Sequence, residues 1–286
     1  MSETNSNSNT LREPFDRRKD GGPFDIIGDV HGCSAELQAL LEQLGYRVQL
    51  VGRGDRRHAA IEPPPGRRTI FVGDLVDRGP CVPDVLRIVM ALCEQHGGSC
   101  VIGNHDEKFL RWLKGRDVTL SHGLDLTVAQ MAGETDTFRS RVRAFLERLP
   151  FYLWLAGGRL VVAHAGIAED MIGRDDARVR RFCLYGDTTG ETDELGLPVR
   201  YHWAATYWGS ASIVYGHTPI PCADWVGNTL CLDTGCCFGG ALTALRWPEG
   251  KIVSVPALKT YAHARRPFGH PPVRPSRRPS HEDAPT

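Results

Sequence analysis

Three short apolar runs in this sequence each end in a glycine that is followed by a side chain able to bind a metal. The runs have the length and composition of buried strands. They occupy residues 24–27, 69–72 and 100–102 and lead into Gly28-Asp29, Gly73-Asp74 and Gly103-Asn104. A lone Asp after a strand is usually a turn cap, but in open α/β sheets ligands bind at the carboxyl ends of the strands. Three occurrences of the same strand–glycine–ligand pattern therefore predict a binding site.

The order of the predicted elements indicates an α/β fold. Strand, polar loop and helix alternate up to about residue 150, which is typical of layered α/β sheets. From residue 151 onward short strands dominate, and we expect them to form a largely antiparallel sheet packed against the first. One catalytic domain is predicted over residues 23–256. The polar segment 1–22 and the segment 257–286, rich in Pro and Arg, are predicted to be disordered tails.

Three local predictions concern the first half of the chain. Ser34 is expected to cap the helix that follows the first strand and its loop. The segment 52–68 has five arginines and three consecutive prolines, which predicts a loop whose arginines either contact substrate or simply face solvent. A helix is predicted over residues 107–114.

Composition and charge exclude several classes of protein. The chain has 286 residues, of which 41% are hydrophobic, enough for one sizeable core. Lys and Arg together number 34 and so do Asp and Glu, so no net field favours nucleic acid or membrane. No secretory signal and no apolar run of membrane-spanning length is present. The nine cysteines form no CxxC pair, which favours reduced thiols and a cytoplasmic protein.

The candidate metal ligands all follow β-like runs. They are Asp29, His31, Asp74, Asn104, His105, His164 and His217. A single His after a strand is more often structural, but so many converging positions indicate a site. Carboxylates, an amide and imidazoles together suit Mn, Fe, Zn or Ni better than Mg or Ca alone. Two metals that share one bridging carboxylate would use these ligands and still leave room for a substrate.

Three sequence blocks and the two later histidines point to a family. The blocks are GDVHG at 28–32, GDLVDRG at 73–79 and GNHD at 103–106. Over residues 24–245 the chain resembles the calcineurin-like metallophosphoesterases, especially their phosphoprotein-phosphatase branch. The resemblance implies a layered β-sandwich flanked by helices. It also implies that Asp29, His31 and Asp74 bind one metal, and that the bridging Asp74 binds the second with Asn104, His164 and His217.

The chemistry expected of such a site is phosphoester hydrolysis. A hydroxide held between two divalent cations is a strong nucleophile near neutral pH and attacks phosphorus in line. His105 is placed to protonate the leaving alkoxide, which is typically worth about 10²–10⁴-fold. By the family pattern Asp77 would orient His105. Arg78 would clamp the phosphate oxygens, although a turn cap and a surface salt bridge are the structural alternatives for these two residues.

Further stretches resemble the phosphatase module of bacterial polynucleotide kinase–phosphatase. They lie at 120–123, 181–201 and 232–240. This resemblance implies removal of 2′ and 3′ phosphates, cyclic ones included, from ribonucleotide or RNA ends with Mn, or else Ni, Fe or Zn. No GxxxxGK[ST] loop is present, so either the kinase and ligase activities belong to separate partner chains or the protein is a free-standing phosphatase with a different substrate. Asp233 is a candidate for shaping the nucleotide pocket, with a buried turn cap as its structural alternative.

The alternatives stay open at this point. A Ser/Thr protein phosphatase and a dinucleoside tetraphosphate hydrolase would share the same three blocks. A non-catalytic relative would show a missing ligand, whereas every expected ligand position is filled here. Residues 200–208 interleave aromatic side chains with a cation, as in a platform for stacking bases, or as ordinary core aromatics.

Overall fold

The computed structural model describes residues 12–265 and the backbone of residues 273–274. Six helices are α1 (Ser34–Gln43), α2 (Val82–Gln95), α3 (Asn104–Leu113), α4 (Leu124–Ala132), α5 (Asp136–Arg148) and α6 (Ala177–Tyr185). The strands are β1 (Asp16–Arg17), β2 (Phe24–Ile27), β3 (Arg47–Val51), β4 (His58–Glu62), β5 (Arg68–Phe71), β6 (Ser99–Cys100), β7 (Tyr152–Leu155), β8 (Leu160–Ala163), β9 (Thr188–Thr192), β10 (Pro198–Tyr201), β11 (Ser212–Tyr215), β12 (Trp225–Val226), β13 (Thr229–Cys231), β14 (Ala241–Trp247), β15 (Lys251–Pro256) and β16 (Val273–Arg274).

Two large sheets pack face to face and form the centre of the protein. The first has the order β15-β14-β2-β5-β6 and the second β1-β7-β8-β11-β13-β12. Alternate residues of each strand point to opposite faces. Ile26 and Ile70 of the first sheet therefore meet Val162 and Val214 of the second in one buried cluster. This arrangement is the predicted β-sandwich.

Helices cover both outer faces of the sandwich, which confirms the α/β class. Ile27 and Phe71 point away from the second sheet and pack with the apolar residues of α1 and α2. On the other side, Val161 and Ile213 pack with the residues of α6. Because both faces of each sheet are covered, the strands read as continuous apolar runs. No helix in residues 12–265 has the length and apolar character needed to cross a membrane.

The expectation of a largely antiparallel second sheet is wrong. The pairs β8–β11 and β11–β13 are parallel, and the antiparallel hairpin β14–β15 joins β2 in the first sheet instead. The connection from β8 to β11 contains α6, as a parallel crossover requires. Parallel pairing has a functional consequence, because it places the carboxyl ends of β8 and β11 at the same edge of the sheet.

The local predictions also need correction. Residues 58–62 are not loop but the strand β4, which pairs with β3 and buries Ala59. Helix α1 begins at Ser34 itself, and no side chain caps it. Helix α3 begins at Asn104, three residues earlier than expected, because the Asp106 carboxylate accepts a hydrogen bond from Gly103 N and stabilises the first turn.

Parts of both predicted tails are ordered. Strand β1 pairs with β7, and Phe15 stacks on Tyr152. At the other end, Leu258 and Tyr261 hydrogen-bond to Glu36. Disorder is therefore wrong for residues 12–22 and 257–265. Residues 1–11, 266–272 and 275–286 of the predicted tails lie outside the described residues.

A buried ion cluster joins β2, the segment before β5 and β14. Asp25 is fully buried, and its carboxylate accepts hydrogen bonds from Arg67 (3.1 Å), Arg246 (2.9 Å) and the Tyr46 hydroxyl (3.0 Å). A buried charge is tolerated only where such partners surround it. The cluster therefore explains one arginine of the 52–68 segment as a structural residue.

Replacing Asp25 by Ala is expected to destabilise the fold by about 3–5 kcal/mol, because two arginines lose their buried counter-ion. The free energy of unfolding, measured by urea denaturation, checks this. The matched control is Glu62→Ala, which removes the exposed partner of Arg47 and is expected to cost less than about 1 kcal/mol. Equal costs for the two variants would contradict the prediction.

Candidate metal centre

The three loops that follow β2, β5 and β6 are fastened to one another through their backbones. His31 N donates to Asp74 O (2.8 Å), and the Asp106 carboxylate accepts from Leu75 N (2.9 Å) and Gly103 N (3.0 Å). A Cβ on Gly103 would lie 2.2 Å from Asp74 Oδ1, so only glycine permits this approach. Asp106 was missed as a positioning residue, although an acid at the third position of a helix is a readable signal.

Several site residues adopt the left-handed backbone conformation that favours glycine. The φ values are 44° for His31, 50° for Asp74, 72° for Asp77, 68° for Arg78 and 75° for His217. Such positions cost on the order of 1–3 kcal/mol each and are enriched at functional sites. Several strained residues occur together in these loops. The fold therefore fixes the orientation of the site side chains and tolerates the backbone strain that this requires.

The predicted ligands converge on Asp74. His31 Nε2 lies 3.5 Å from Asp74 Oδ2, and His164 Nε2 lies 3.4 Å from Asp74 Oδ1. Two groups of donor atoms, each spanning no more than 4.8 Å, share this carboxylate: one adds His31 and His105, and the other adds His164 and His217. One oxygen of Asp74 thus faces each group.

Asn104 and Asp29 complete the constellation. Asn104 Oδ1 lies 2.9 Å from His164 Nε2, which places it with the second group. The Asp29 carboxylate accepts from His217 N at 3.1 Å and 3.2 Å. All six predicted metal ligands therefore meet in one region at the carboxyl ends of the strands.

Backbone carbonyls set the tautomers of two histidines. His31 Nδ1 donates to Val76 O (2.8 Å), and His164 Nδ1 donates to Val72 O (3.0 Å). Each ring then presents an unprotonated Nε2 to Asp74. This orientation is typical of histidines that bind metals, whose second nitrogen is held by a carbonyl or carboxylate.

The electrostatics of the site favour cations. Burial and the charges of Asp233 and Asp74 raise the pKa of Asp29, and burial raises the pKa of Asp74 to about 7. Burial also lowers the pKa of His164 to about 4, so this imidazole is neutral at pH 7. Buried carboxylates that repel each other, beside neutral imidazoles, form a donor set that fits divalent transition metals.

The predicted acid and its partner are in direct contact. His105 Nδ1 lies 2.5 Å from Asp77 Oδ2, and Thr127 Oγ1 donates to Asp77 Oδ1 at 2.7 Å. Asp77 N in turn donates to Thr127 Oγ1 at 2.9 Å. Thr127, on α4, was not recognised from the sequence because it lies 50 residues from Asp77. The arrangement holds the His105 ring with Nε2 directed towards Arg78.

Two arginines contact the imidazoles. Arg78 donates to His31 Nε2 (2.5 Å) and His105 Nε2 (2.8 Å). Arg200 donates to His217 Nε2 at 2.9 Å. The sequence reasoning treated Arg200 only as the cation of a possible stacking platform. Because Arg200 lies beside His217, the centre has a second guanidinium in addition to that of Arg78.

Two remaining candidates, Asp233 and the aromatic residues of 200–208, do not line the cleft. Asp233 is buried, its Oδ1 accepts from Gly235 N (3.0 Å), and it is not among the described residues that line the cleft. Within residues 200–208, Trp203 packs against Phe182 and Tyr215. Trp203 is therefore a packed aromatic and not part of a platform for bases, whereas Trp208 of the same stretch is exposed.

An open cleft of about 710 Å³ leads to the centre. Asp74, Arg78, Asn104, His105 and His217 lie in its wall together with residues from α4 and the segment that follows β15. A cavity of this size accommodates a nucleotide-sized ligand. The metal centre is therefore accessible to a substrate.

Removing bound metal is expected to lower the melting temperature more at about pH 8 than at about pH 5.5. The Asp74 pKa of about 7 lies above its usual 3.8. In the metal-free protein its stabilising contribution is therefore full at low pH and is lost as the pH rises through 7. A cation binds the ionised form and restores that loss. Thermal unfolding with and without chelator checks this, and equal shifts at both pH values would contradict it.

Comparison with known proteins agrees with this geometry. The family model for calcineurin-like phosphoesterases matches residues 22–244. Proteins named bis(5′-nucleosyl)-tetraphosphatase PrpE [asymmetrical] are 46% identical in Anoxybacillus flavithermus and 43% identical in Bacillus subtilis. These alignments cover 86% and 85% of this chain, and 99% and 98% of the relatives.

Solved structures show the same fold. A crystal structure of a candidate diadenosine tetraphosphatase superposes with a TM-score of 0.60 at 27% identity, covering 85% of this chain and 96% of that one. A protein serine/threonine phosphatase from Saccharomyces cerevisiae superposes with a TM-score of 0.55 at 13% identity, covering 93% of this chain and 86% of that one. The second likeness concerns the fold alone.

The prediction of an RNA-end phosphatase is wrong, because relatives that match most of the chain bear the tetraphosphatase name. The associated expectation of a polynucleotide phosphatase acting in RNA repair is wrong for the same reason. The misleading stretch 232–240 mainly supports the fold, because Asp233, Cys236 and Cys237 are buried and Phe238 is the one residue of this stretch that lines the cleft. The family itself is established by the matching family model and these relatives. The chain belongs to the calcineurin-like phosphoesterase family and is a metal-dependent phosphoester hydrolase.

Proposed function

We propose that this enzyme hydrolyses dinucleoside tetraphosphates asymmetrically, to a nucleoside triphosphate and a nucleoside monophosphate. The observation that carries the proposal is the name shared by relatives that are 41–49% identical over at least 82% of the chain. Dinucleoside tetraphosphate hydrolysis was one of the alternatives consistent with the three sequence blocks. The open cleft beside the metal centre supports it, because a long anionic substrate needs room on either side of the phosphorus under attack.

Two divalent ions, with manganese preferred over nickel, iron or zinc, are proposed as the cofactors. Asp29, His31 and Asp74 would hold one, and Asp74, Asn104, His164 and His217 would hold the other. Bound there, the ions would lower the pKa of water and neutralise charge on the phosphoryl oxygens. The neutral tautomers of His31 and His164 described above support these roles.

Arg78 and Arg200 are proposed to bind the phosphoryl oxygens. Both guanidiniums already lie at the imidazoles of the centre. A planar fork of N–H donors matches two oxygens of one phosphate. Burial lowers the pKa of Arg200, so its charge is poorly solvated and an anionic substrate would compensate it.

His105 is proposed as the general acid and Asp77 as the residue that positions it. Burial and the charge of Arg78 lower the pKa of His105, and burial raises the pKa of Asp77 to about 7. The pair therefore holds one proton near neutral pH, between Nδ1 and Oδ2. A phosphate bound to Arg78 offsets the positive charge that disfavours protonated His105. Substrate binding thus prepares the ring to donate a proton from Nε2 to the leaving oxygen.

A reducing compartment is proposed for the protein. All nine cysteines are free, and six of them are buried, which agrees with cytoplasmic proteins whose thiols stay reduced.

Incubating the manganese-loaded enzyme with diadenosine tetraphosphate in ¹⁸O-labelled water is expected to yield equal amounts of ATP and AMP, with the label in one of them. The labelled product identifies the phosphorus attacked. Parallel reactions contain a 3′-phosphorylated oligonucleotide and a phosphopeptide. Production of two ADP molecules, or faster turnover of the phosphopeptide, would refute the proposal.

His105→Ala is expected to retain its metals and to lose about 10²–10⁴-fold in kcat, because the leaving oxygen departs unprotonated. Metal content and steady-state kinetics check both parts. His58→Ala is the control, since His58 is exposed and, among the described residues, its side chain hydrogen-bonds only to the backbone of Arg56. Full activity in His105→Ala would show that another group protonates the leaving oxygen.

Asp77→Asn is expected to move the basic limb of the kcat profile to lower pH. The carboxylate stabilises protonated His105, so its removal lowers the pKa of the acid. A reduced kcat with an unmoved limb would show that Asp77 only supports the structure.

A further inference from the structure

A cluster of basic side chains lies in the cleft wall outside the proposed catalytic set. Lys108, His122 and Arg265 line the same cavity as Asp74 and Arg78. We propose that these three residues form a subsite for the phosphates of a polyphosphate chain that extend beyond the one under attack. The proposal rests on the proposed function, because it assigns how the site would select a tetraphosphate over a monophosphate.

Lys108 is positioned by the same helix as Asn104. It lies four residues further along α3 and therefore on the same face. Its ammonium has three N–H groups, and Ser121 accepts two of them, through its carbonyl at 3.1 Å and its hydroxyl at 3.0 Å. Burial lowers the pKa of Lys108. Its charge is therefore incompletely solvated in a wall that faces the cleft, where an anion would stabilise it.

The turn at residues 121–123 carries His122 and lies next to Arg78. Ser121 Oγ lies 3.0 Å from His122 Nδ1, and His122 has a φ of 63°. A Cβ on Gly123 would lie 2.5 Å from Arg78 N. The turn therefore packs directly on the backbone of Arg78. This explains why the stretch at 120–123 is distinctive, without any need for an RNA substrate.

Arg265 reaches the cleft because the segment 257–265 is tied back to the body of the protein. Leu258 N and the Tyr261 hydroxyl donate to Glu36 Oε1 at 2.9 Å and 2.7 Å. Tyr261 N and Ala262 N both donate to Cys237 O at 3.0 Å. The segment was expected to be a loose tail, but these bonds make it part of the cleft wall.

The charges of Lys108 and Arg265 act on His122. Burial lowers the pKa of His122, and the positive charges of Lys108, Arg265 and Arg78 lower it further. Asp125, also in the wall, offsets only part of this positive charge. Each phosphate of a polyphosphate chain is ionised near neutral pH, so a chain lying along this wall would relieve the repulsion.

The test measures specificity. The full-length, manganese-loaded enzyme and the variants Lys108→Ala and Arg265→Ala are assayed with diadenosine tetraphosphate and p-nitrophenyl phosphate. For each variant the ratio of kcat/KM for the tetraphosphate to that for the monoester is expected to fall roughly tenfold, mainly through KM. Lys114→Ala, directly after the same helix, and Lys259→Ala on the same segment are the matched controls, and their ratio is expected to stay at the wild-type value.

A second measurement does not depend on the natural substrate. Inorganic tripolyphosphate, at a fixed concentration of free Mn²⁺, is expected to bind roughly tenfold more weakly to both variants, while the affinity for orthophosphate changes less. Arg265→Ala alters an exposed residue, so it keeps the test valid if Lys108→Ala fails to fold. Equal losses for tripolyphosphate and orthophosphate, or none for either, would overturn the subsite. If the wild-type enzyme does not cleave the tetraphosphate but both variants still bind tripolyphosphate more weakly, only the proposed function is refuted.

Discussion

Mutual repulsion among buried carboxylates is the interaction on which the rest of this structure depends. Asp29, Asp74, Asp106 and Asp233 are all buried. Burial raises each of their pKa values, in the case of Asp106 to about 7 and of Asp233 to about 6. Such a group of acids is unfavourable in a protein interior unless hydrogen bonds and cations compensate it. Divalent metals supply that compensation in the family to which this chain belongs, and the strained loops keep the acids in place to receive them.

The sandwich makes this concentration of charge possible because it is rigid and already buried on both faces. The parallel strands of both sheets end at one edge of the sandwich. Backbone hydrogen bonds join the loops that follow these strands to one another. Asp106 and Thr127 do not line the cleft, but they hold Gly103 and Asp77 in position. Reactivity at the centre thus depends on a second layer of polar contacts that no metal touches directly.

Reaction chemistry and substrate choice reside in different parts of the molecule. The centre recognises a phosphoryl group, and any phosphoester or anhydride offers one. Selection must come from the cleft walls, which α3, α4 and the segment 257–265 provide. Motifs near the centre therefore predicted the family correctly and the substrate incorrectly. Most of the stretch at 232–240 is buried, and buried residues do not distinguish an RNA end from a dinucleoside tetraphosphate.

The sequence by itself determined the candidate metal ligands and the alternation of local elements. Glycine–acid pairs after apolar runs indicated Asp29 and Asp74, and the order of strand, polar loop and helix indicated the layered α/β fold. Only the tertiary structure decided which strands are neighbours, because an apolar run has the same periodicity in a parallel or an antiparallel pair. The parallel pairing of β8 with β11 is what brings His164 to His217. Distant contacts likewise place Arg200, Thr127 and the segment that ends in Arg265 near the centre. No local sequence pattern indicates a partner that lies tens of residues away.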